Sequence, residues 1–249
     1  MKQLWLEGPW LGEELPVDSA TRHRLRKVLR LRAGAKLTIA DGAGTRQQCE
    51  WTGQQLRCLS VPETTAAPRA PITVALGILK GPRWQIALEK LTELGVDRIV
   101  PLELSHCVAS IAAKQREAKT DKWRAVTCEA FEQCGRAYLP AIAAPVTLSQ
   151  LLTGSQAEIG GAPANAGRAV TLLFGDSDRR QGAGRLPSLA PLRGPVTIVI
   201  GPEGGLAKSE VEQLRAAGAI GMSLGPHVLR AETAAIAAMA VLATLRTSD

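Results

Sequence analysis

From Ile72 onward, the chain alternates short apolar runs with segments of helical spacing. The segments that read as strands are ITVALGILKG, DRIVPLEL, AVTLLFGDSD, GPVTIVIGPEGG and AIGMSLGPH. Nearly unbroken apolar strands that alternate with helices are typical of a parallel sheet covered on both faces. We therefore predict an α/β fold for this part of the chain, with the parallel sheet flanked by helices.

The segments between these strands show helix signals. PRWQIALEKLTELG has Pro82 in its first turn and closes with Gly95, as helices prefer. A second helix is predicted between Lys114 and Cys134, and its apolar stripe is interpreted as core rather than as a stacking surface for bases. The stripe consists of Trp123, Val126, Ala130, Phe131 and Cys134. The Gly- and Ala-rich stretch from Thr153 to Arg168 is expected to form a loop.

The first 66 residues read as a helix followed by short strands. Asp18 or Ser19 can cap the helix, Gly34 can end it, and its apolar face carries Leu25, Val28 and Leu29. The short segments that follow are separated by turn signals such as Asp41-Gly42, which predicts a small β-barrel or sheet. The proline-rich stretch PETTAAPRAP is a candidate linker, so we predict domains at 1–66 and 67–249.

The positive charge of the chain is concentrated near the N-terminus. The formal net charge is +7, and TRHRLRKVLRLRAGAK contains seven cationic residues and no acidic one. Such a cluster attracts a phosphate backbone without regard to its sequence. A solvated helix face is the alternative, but no interleaved Glu is present to form the pairs four residues apart that stabilise such a face. We therefore favour nucleic-acid binding.

Composition disfavours several other classes of protein. Five cysteines without a C-x-x-C pair suggest neither a disulfide framework nor a zinc ribbon, and we expect buried free thiols. The adjacent His106 and Cys107 have no further ligand at metal spacing, so no metal site is predicted. The longest uncharged apolar run, from Thr233 to Leu245, is shorter than the ~20 residues that span a bilayer. No targeting segment is evident, and we expect a cytoplasmic protein without a membrane span.

Ligands of parallel sheets bind beyond the carboxyl ends of strands, which points to the loops after Phe174, Ile200 and Leu224. The turn in VTIVIGPEGGL resembles a phosphate-binding turn, because a strand and glycines lead into a helix. Its spacing matches neither a Walker A loop, since Ala207 precedes Lys208, nor a dinucleotide fingerprint. The carboxylate of Glu203 would also repel an anion. A phosphate site is therefore disfavoured.

Two of these loops share the pattern apolar residue, Gly, Pro, at Ile200–Pro202 and at Leu224–Pro226. Glycine lets the backbone approach a ligand and proline stiffens the turn, so adjacent loops of this kind suit a flat, largely uncharged group such as adenine. Two ordinary strand-end turns are the alternative. Arg230 precedes a predicted helix, where a cation is unfavourable, so we expect it to face a ligand or a carboxylate such as Glu203.

Four segments in order, KGPRWQIALEKLTELGV, EQCGR, VIGPEGGL and LGPHVLRAETAA, resemble the bacterial 16S ribosomal RNA uridine N3-methyltransferase family of the SPOUT superfamily. RHRLRKVLRLRAGAKLTIADGAG is similar to the PUA-like RNA-binding domain of that family. The chain departs from the family pattern at His227, where Arg is usual, and at Ala231, where Thr is usual. The resemblance covers most of the chain.

The resemblance implies properties beyond those read from the residues. It implies a deep trefoil knot in the C-terminal α/β domain, within about residues 169–249, and a PUA-like β-barrel at the N-terminus. It implies S-adenosyl-L-methionine as cofactor and a homodimer as the working form. The implied substrate is one uridine near the decoding centre, in 16S rRNA or in the assembled small ribosomal subunit.

The resemblance also suggests a set of site residues. Arg230 would stabilise the anionic uracil carbonyl as N3 ionises, and Glu203 or Glu232 would orient Arg230 or relay the proton. The expected cofactor-binding residues are Leu173, Phe174, Gly175, Ile200, Gly201, Gly204, Leu224, Gly225, Val228, Leu229 and Thr233. The expected RNA-binding residues are Arg22, Arg24, Arg26, Lys80, Arg83 and Arg136, of which the first three also follow from the charge cluster.

Three alternatives stay open at this point. A ribose 2′-O-methyltransferase of the same superfamily would place the methyl group on the sugar. A non-catalytic RNA-binding protein would use the basic region and keep the α/β part as a scaffold. A phosphotransferase with a P-loop-like turn is the third, and it would require binding of Mg-ATP.

Overall fold

The computed structural model describes residues 2–108, 111–154, 170–176, 184–185 and 194–246. The chain divides into two compact units, the first formed by residues 1–67 and 131–139 and the second by 68–130 and 140–249. Residues 131–139 thus join the first unit although they lie far from it in sequence. The loop predicted at Thr153–Arg168 lies, from residue 155 onward, outside the described residues.

The first unit contains a mixed sheet. Its strands are β1 (Lys2–Trp5), β2 (Glu14–Leu15), β3 (Ala35–Ala40), β4 (Thr45–Trp51), β5 (Leu56–Cys58) and β6 (Glu63–Thr64). The order is β1-β3-β4-β5-β2, with β6 paired to β4. β1 runs parallel to β3, and the other pairs are antiparallel. Alternate side chains of β3 and β4, among them Leu37, Ile39, Cys49 and Trp51, fill the core of this unit.

The basic segment begins with the short helix α1 (Ser19–His23), and Arg24–Val28 continues it as a π-helical turn. Asp18 is the cap, because its carboxylate accepts a hydrogen bond from Thr21 N at 2.7 Å, and this bond lowers the pKa of Asp18. Leu25 is fully buried as predicted, but Val28 is 65% exposed, so its predicted place on the apolar face is wrong. The wider π turn rotates Val28 away from the face that Leu25 occupies.

The second unit is built on a parallel sheet. Its strands are β7 (Ile72–Gly77), β8 (Arg98–Glu103), β9 (Ala141–Ile142), β10 (Val146–Thr147), β11 (Thr171–Gly175), β12 (Gly184–Arg185), β13 (Val196–Ile200) and β14 (Ile220–Ser223). The order is β10-β8-β7-β13-β11-β14-β12, with β9 paired to β8, and the pairs of the described strands are all parallel. The predicted parallel α/β sheet is confirmed.

Helices supply the rest of the second unit. They are α2 (Pro82–Glu93), α3 (Arg116–Cys134, which ends in the first unit), α4 (Leu148–Thr153), α5 (Lys208–Ala216) and α6 (Ala231–Leu245), with a 3-10 turn at Ala113–Gln115. Hydrophobic clusters lie on the two faces of the sheet, so Ile198 packs with α2 and α6, and Val199 packs with α5. Trp123 packs against this core and against Trp84, which confirms its predicted place in the core. No helix in the described part of the chain has the length and apolarity to cross a bilayer.

The order of the central strands decides where loops meet. β11 lies between β13 and β14, and the three strands run parallel. Their carboxyl ends therefore reach the same edge of the sheet, and the loops that leave them are neighbours.

Candidate active site

A cavity of about 540 Å³ opens at the carboxyl ends of β11, β13 and β14. Its wall consists of Arg83, Gly175, Asp176, Ile200–Leu206, Val211, Met222–Gly225, His227–Ala231 and Ala234. The three loops singled out in the sequence thus contribute to a single cavity. Its volume lies in the range of small-molecule sites, which is roughly 300–1,000 Å³.

The turn after β13 folds back on itself. A side chain at Gly201 would place its Cβ only 2.7 Å from the carbonyl carbon of Gly205. Gly205 has a φ of +72° and donates its N–H to the carbonyl of Pro202 at 2.8 Å. Pro202 in turn packs against the end of β7, where a Cβ on Gly77 would meet its nitrogen at 2.6 Å. Close backbone approach therefore requires glycine at 201 and 77, whereas the positive φ favours it at 205.

The loop after β14 forms a second part of the wall. Gly225 has a φ of +148°, and its carbonyl accepts a hydrogen bond from Ser223 Oγ at 3.3 Å. Val228 is 87% exposed although it lines the cavity, whereas Leu229 is half-buried. Arg230 then caps the N-terminus of α6 with extended backbone.

The charged side chains of the site are organised by Arg83. Its guanidinium lies 3.5 Å from Glu203 Oε1 and 3.8 Å from Glu232 Oε1. The backbone N–H of Lys80 also donates to Glu203, at 3.3 Å. Glu232 is buried, and its Oε2 has no hydrogen-bond partner among the described residues. Arg83 therefore joins the turn after β13 to the start of α6.

Arg230 is predicted to face either a ligand or a carboxylate such as Glu203, and the structure places it in the cavity wall while Glu203 pairs with Arg83. Arg230 lines the cavity but forms no ion pair with any residue that the structure describes. Arg83 takes the carboxylates instead because it lies at the start of α2, which packs against α6. Arg230 is left exposed at the cavity wall.

Most of the residues expected to bind a cofactor do line the cavity. These are Gly175, Ile200, Gly201, Gly204, Leu224, Gly225, Val228 and Leu229. Leu173 and Phe174 do not, because successive side chains of a strand covered on both faces point into the two hydrophobic clusters. Thr233 is exposed on α6 and is not part of the wall.

Arg24 occupies a different position from that expected of a phosphate ligand. Its guanidinium forms a two-pronged ion pair with Glu132, one bond of which is 3.0 Å long, within the first unit. Glu132 is buried and also accepts the N–H of Trp5 at 2.8 Å. The carboxylate missing from the local sequence of the basic cluster is thus supplied 108 residues later.

The other predicted RNA-binding residues fall into two groups. Arg22 and Arg136 are half-buried and Arg26 is exposed, and all three belong to the first unit. Lys80 is exposed in the second unit, and Arg83 is engaged by the two glutamates. Arg83 therefore pairs with carboxylates, which its predicted role as a phosphate ligand did not anticipate.

Several cavity residues were missed by the sequence analysis. Asp176 follows β11 directly, and its carboxylate pairs with Arg215 at 3.0 Å. Met222 and Ser223 are the last two residues of β14, just before the second Gly-Pro pattern. Their position beside the three loops is the signal that could have found them.

Comparison with known proteins shows the family to which this chain is similar. Residues 66–243 match the family model described as an RNA methyltransferase domain. A ribosomal RNA small subunit methyltransferase E from Mycobacterium tuberculosis is 31% identical over 245 residues, which cover 95% of this chain and 88% of that protein. The protein of the same name from Bacillus subtilis is 28% identical over 92% of this chain and 91% of its own.

Solved structures are similar over almost the whole length. A ribosomal RNA small subunit methyltransferase E from Neisseria gonorrhoeae, bound to S-adenosyl methionine, aligns with a TM-score of 0.82 and 26% identity over 98% of both chains. A methyltransferase from Legionella pneumophila, in complex with the bound cofactor SAM, aligns with a TM-score of 0.82 and 28% identity. That alignment covers 97% of this chain and 96% of the other.

Proposed function

This chain belongs to the RNA methyltransferase family that includes the ribosomal RNA small subunit methyltransferase E proteins, and on that premise we propose its reaction. The protein methylates uracil N3 of one uridine in 16S rRNA, near the decoding centre, with S-adenosyl-L-methionine as the methyl donor. The observation that carries this proposal is the cavity where three loops bring Arg230 and Glu203 into one wall.

The cavity fits S-adenosyl-L-methionine in size and chemistry. Apolar side chains that suit an adenine ring line it, among them Ile200, Leu224 and Leu229. The absence of a side chain at Gly225 leaves open space in which a flat ring can come close to the main chain. The wall also contains the carboxylates of Asp176 and Glu203, which pair with Arg215 and Arg83 and so reduce the positive charge that a ligand with an ammonium and a sulfonium group meets. These features support the proposed cofactor.

The first unit supplies the contact with RNA in this proposal. We assign it as a PUA-like module, with the mixed sheet and the basic segment of α1 as its binding surface. The exposed Arg26 and the half-buried Arg22 are the cations of that segment proposed to reach phosphates, and Arg136 of the same unit is proposed as a third. Arg24 is assigned to the fold, since Glu132 neutralises it.

Topology, location, oligomeric state and substrate also belong to the proposal. The second unit is assigned a trefoil knot formed by the chain around the three cavity loops, and the protein is assigned as a cytoplasmic homodimer. The substrate is 16S rRNA or the assembled small subunit. The family membership supports these assignments.

The cofactor, when bound, supplies an electrophilic methyl group on its sulfonium. The work left to the chain is to remove the N3 proton of uracil and to stabilise the resulting anion. Glu203, which lines the cavity, accepts the proton in this proposal, and Arg230, which has no ion-pair partner among the described residues, donates hydrogen bonds to a uracil carbonyl oxygen.

Arg83 and Glu232 hold this arrangement in place. Arg83 fixes the position of Glu203, and Glu232 fixes that of Arg83. One guanidinium thus serves two carboxylates, and it places Glu203 at the wall, where the proposed proton transfer takes place. The target base must leave its stack or pair to reach the cavity, because N3 is buried in both.

The test is methyl transfer to unmodified small subunits and to free 16S rRNA with labelled S-adenosyl-L-methionine, followed by mapping of the methylated nucleoside by mass spectrometry. N3-methyluridine at one position is the expected product. Methyl on a ribose would support a 2′-O-methyltransferase and overturn the proposed reaction.

Calorimetry with S-adenosyl-L-methionine separates the remaining alternatives. Binding at the level expected of a cofactor supports an enzyme. Absence of binding together with retained RNA binding would replace the proposal by a non-catalytic RNA-binding protein. Binding of Mg-ATP instead would favour a phosphotransferase.

A further inference from the structure

The segment after β8 contacts the cavity turn at two points although it does not line the cavity. Ser105 and His106 lie in this segment, and Glu210 lies in the first turn of α5. We propose that these three residues, here called the clasp, are positioning residues that hold the turn 201–207 in the conformation that binds S-adenosyl-L-methionine. The inference rests on the proposed function.

Glu210 makes one more connection than a helix cap requires. Its Oε2 accepts the N–H of Ala207 at 2.8 Å, which is the ordinary contact of a capping box. Its Oε1 accepts both the N–H and the hydroxyl of Ser105, at 2.8 and 2.9 Å. The carboxylate is buried, so these three donors replace water. Glu210 therefore ties the end of the turn to the segment after β8.

His106 holds the middle of the same turn. Its Nδ1 lies 3.0 Å from the carbonyl oxygen of Gly204 and 3.2 Å from that of Gly205. Carbonyl oxygens only accept, so Nδ1 carries the proton and donates to them. A Cβ on Gly204 would lie 2.8 Å from His106 Cβ, so the ring is seated against bare backbone. The carbonyl groups of the turn are thereby directed to His106.

The residues held by the clasp are those that face the cavity. Glu203, Gly204, Gly205 and Leu206 all line it, and they lie between Gly201 and the Ala207 N–H that Glu210 binds. A turn with three glycines can adopt many conformations when no ligand is bound. If only a small fraction of molecules have the conformation that binds the ligand, the apparent affinity falls by that fraction. The clasp raises the population of the folded turn before the ligand arrives.

The adjacent His106 and Cys107 thus acquire a role that is neither metal binding nor nucleophilic attack. His106 touches the backbone of the turn and is not part of the cavity wall. A positioning role predicts a change in cofactor affinity and in the KM for cofactor, with a smaller change in kcat. It also predicts no change in RNA affinity.

The experiment compares His106→Phe with His106→Asn by calorimetry of the full chain with S-adenosyl-L-methionine. Phe keeps the ring but removes the donor, whereas Asn offers an amide N–H close to the position of Nδ1. We expect His106→Phe to weaken binding by about 3- to 10-fold, the value of one lost hydrogen bond, and Asn to restore most of the loss. The KM for cofactor should rise more than kcat falls.

Glu210→Gln is the second variant, with Glu212→Gln as its matched control on the exposed side of the same helix. Gln cannot accept at both ends of its amide, so the contact with Ser105 or with Ala207 is lost. Ser105→Ala, which removes one donor, serves if Glu210→Gln does not fold. Weaker cofactor binding in the clasp variants, and unchanged binding in Glu212→Gln, supports the proposal.

Several results would overturn the clasp. The first is cofactor affinity equal to that of the wild type in both His106→Phe and Ser105→Ala. The second is the same loss of affinity in His106→Phe and His106→Asn. The third is a loss of affinity in Glu212→Gln as large as that in Glu210→Gln. These outcomes are read against wild-type protein that does bind S-adenosyl-L-methionine. Failure of the wild-type protein to bind it would instead overturn the proposed function.

Discussion

The guanidinium of Arg83 lies 3.5 Å from the carboxylate of Glu203, so the cation nearest this glutamate comes from the start of α2 and not from the start of α6. This relationship changes the role of two residues at once. Arg83 becomes part of the cavity, and Arg230 is free of any ion pair that the described residues could supply. Both consequences can be measured.

Arg83 and Lys80 should respond differently to neutralisation. Lys80→Gln should lower the slope of log affinity for RNA against log salt concentration by about 0.7–0.9, as expected for one lost phosphate contact. Arg83→Gln should leave that slope unchanged, since its guanidinium faces carboxylates, and should lower kcat/KM by about tenfold or more. Filter binding over a salt series and single-turnover methylation are the measurements. A reduced slope for Arg83→Gln would return Arg83 to the phosphate ligands.

Arg230→Ala should abolish most methylation while cofactor affinity is nearly kept. The proposed role of Arg230 is exerted on the uracil anion, and loss of one such donor typically costs about 10²–10³-fold in rate. Calorimetry with S-adenosyl-L-methionine and methylation of small subunits test the two halves of this statement. Arg230→Lys, which keeps the charge, should retain part of the rate. Full turnover by Arg230→Ala would remove Arg230 from the mechanism.

Arg24 and Arg26 form a matched pair for separating stability from RNA binding. Arg24→Ala removes the ion pair with Glu132, whose side chain is 8% exposed, and should lower the free energy of unfolding by about 1–3 kcal/mol. This figure is below that of a fully buried pair because the Arg24 side chain is 33% exposed. Arg26→Ala should change it by less than about 0.5 kcal/mol. Urea denaturation measures both.

RNA binding should respond to Arg26→Ala more than to Arg24→Ala, which is the opposite of the order expected for stability. Arg26→Ala should reduce the salt slope of RNA binding, and the double variant of Arg22 and Arg26 should reduce it further. An unchanged slope in the double variant would assign the cluster to a solvated helix face.

The thiol of Cys49 should make stability depend on alkaline pH. Burial, with a smaller effect of the facing Cys58, raises the pKa of Cys49 from about 9 to about 12. The folded chain therefore holds this proton more tightly than the unfolded chain. The stabilisation is complete below about pH 9 and is lost as the pH rises toward about 12.

Urea denaturation of wild-type protein and Cys49→Val at neutral and alkaline pH measures this effect. The decrease in the free energy of unfolding should be larger for the wild type, since the other titrating groups are common to both. Cys58→Ala should retain most of the decrease, because burial is the larger cause. Parallel decreases in wild type and Cys49→Val would contradict the prediction.

The features that could be predicted from the sequence are those that depend on residues close together in the chain. The apolar runs, the glycines of the turn at 201–205 and the cap at Asp18 depend on neighbours in the chain, so the parallel sheet and the convergence of three loops could be predicted from them. The spacing of the turn also sufficed to disfavour a phosphate site.

Only the tertiary structure decided which side chains face one another. Glu132 reaches Arg24 across 108 residues, and Ser105 binds Glu210 across 105, and no local pattern encodes either pair. The burial of Leu173 and Phe174 follows from helices on both faces of their strand, and the exposure of Val28 follows from a π turn with no signature in the sequence. Periodicity identifies the elements because it is a property of neighbouring residues. The partners of a charged side chain depend on how distant elements pack, and packing is decided by the whole chain.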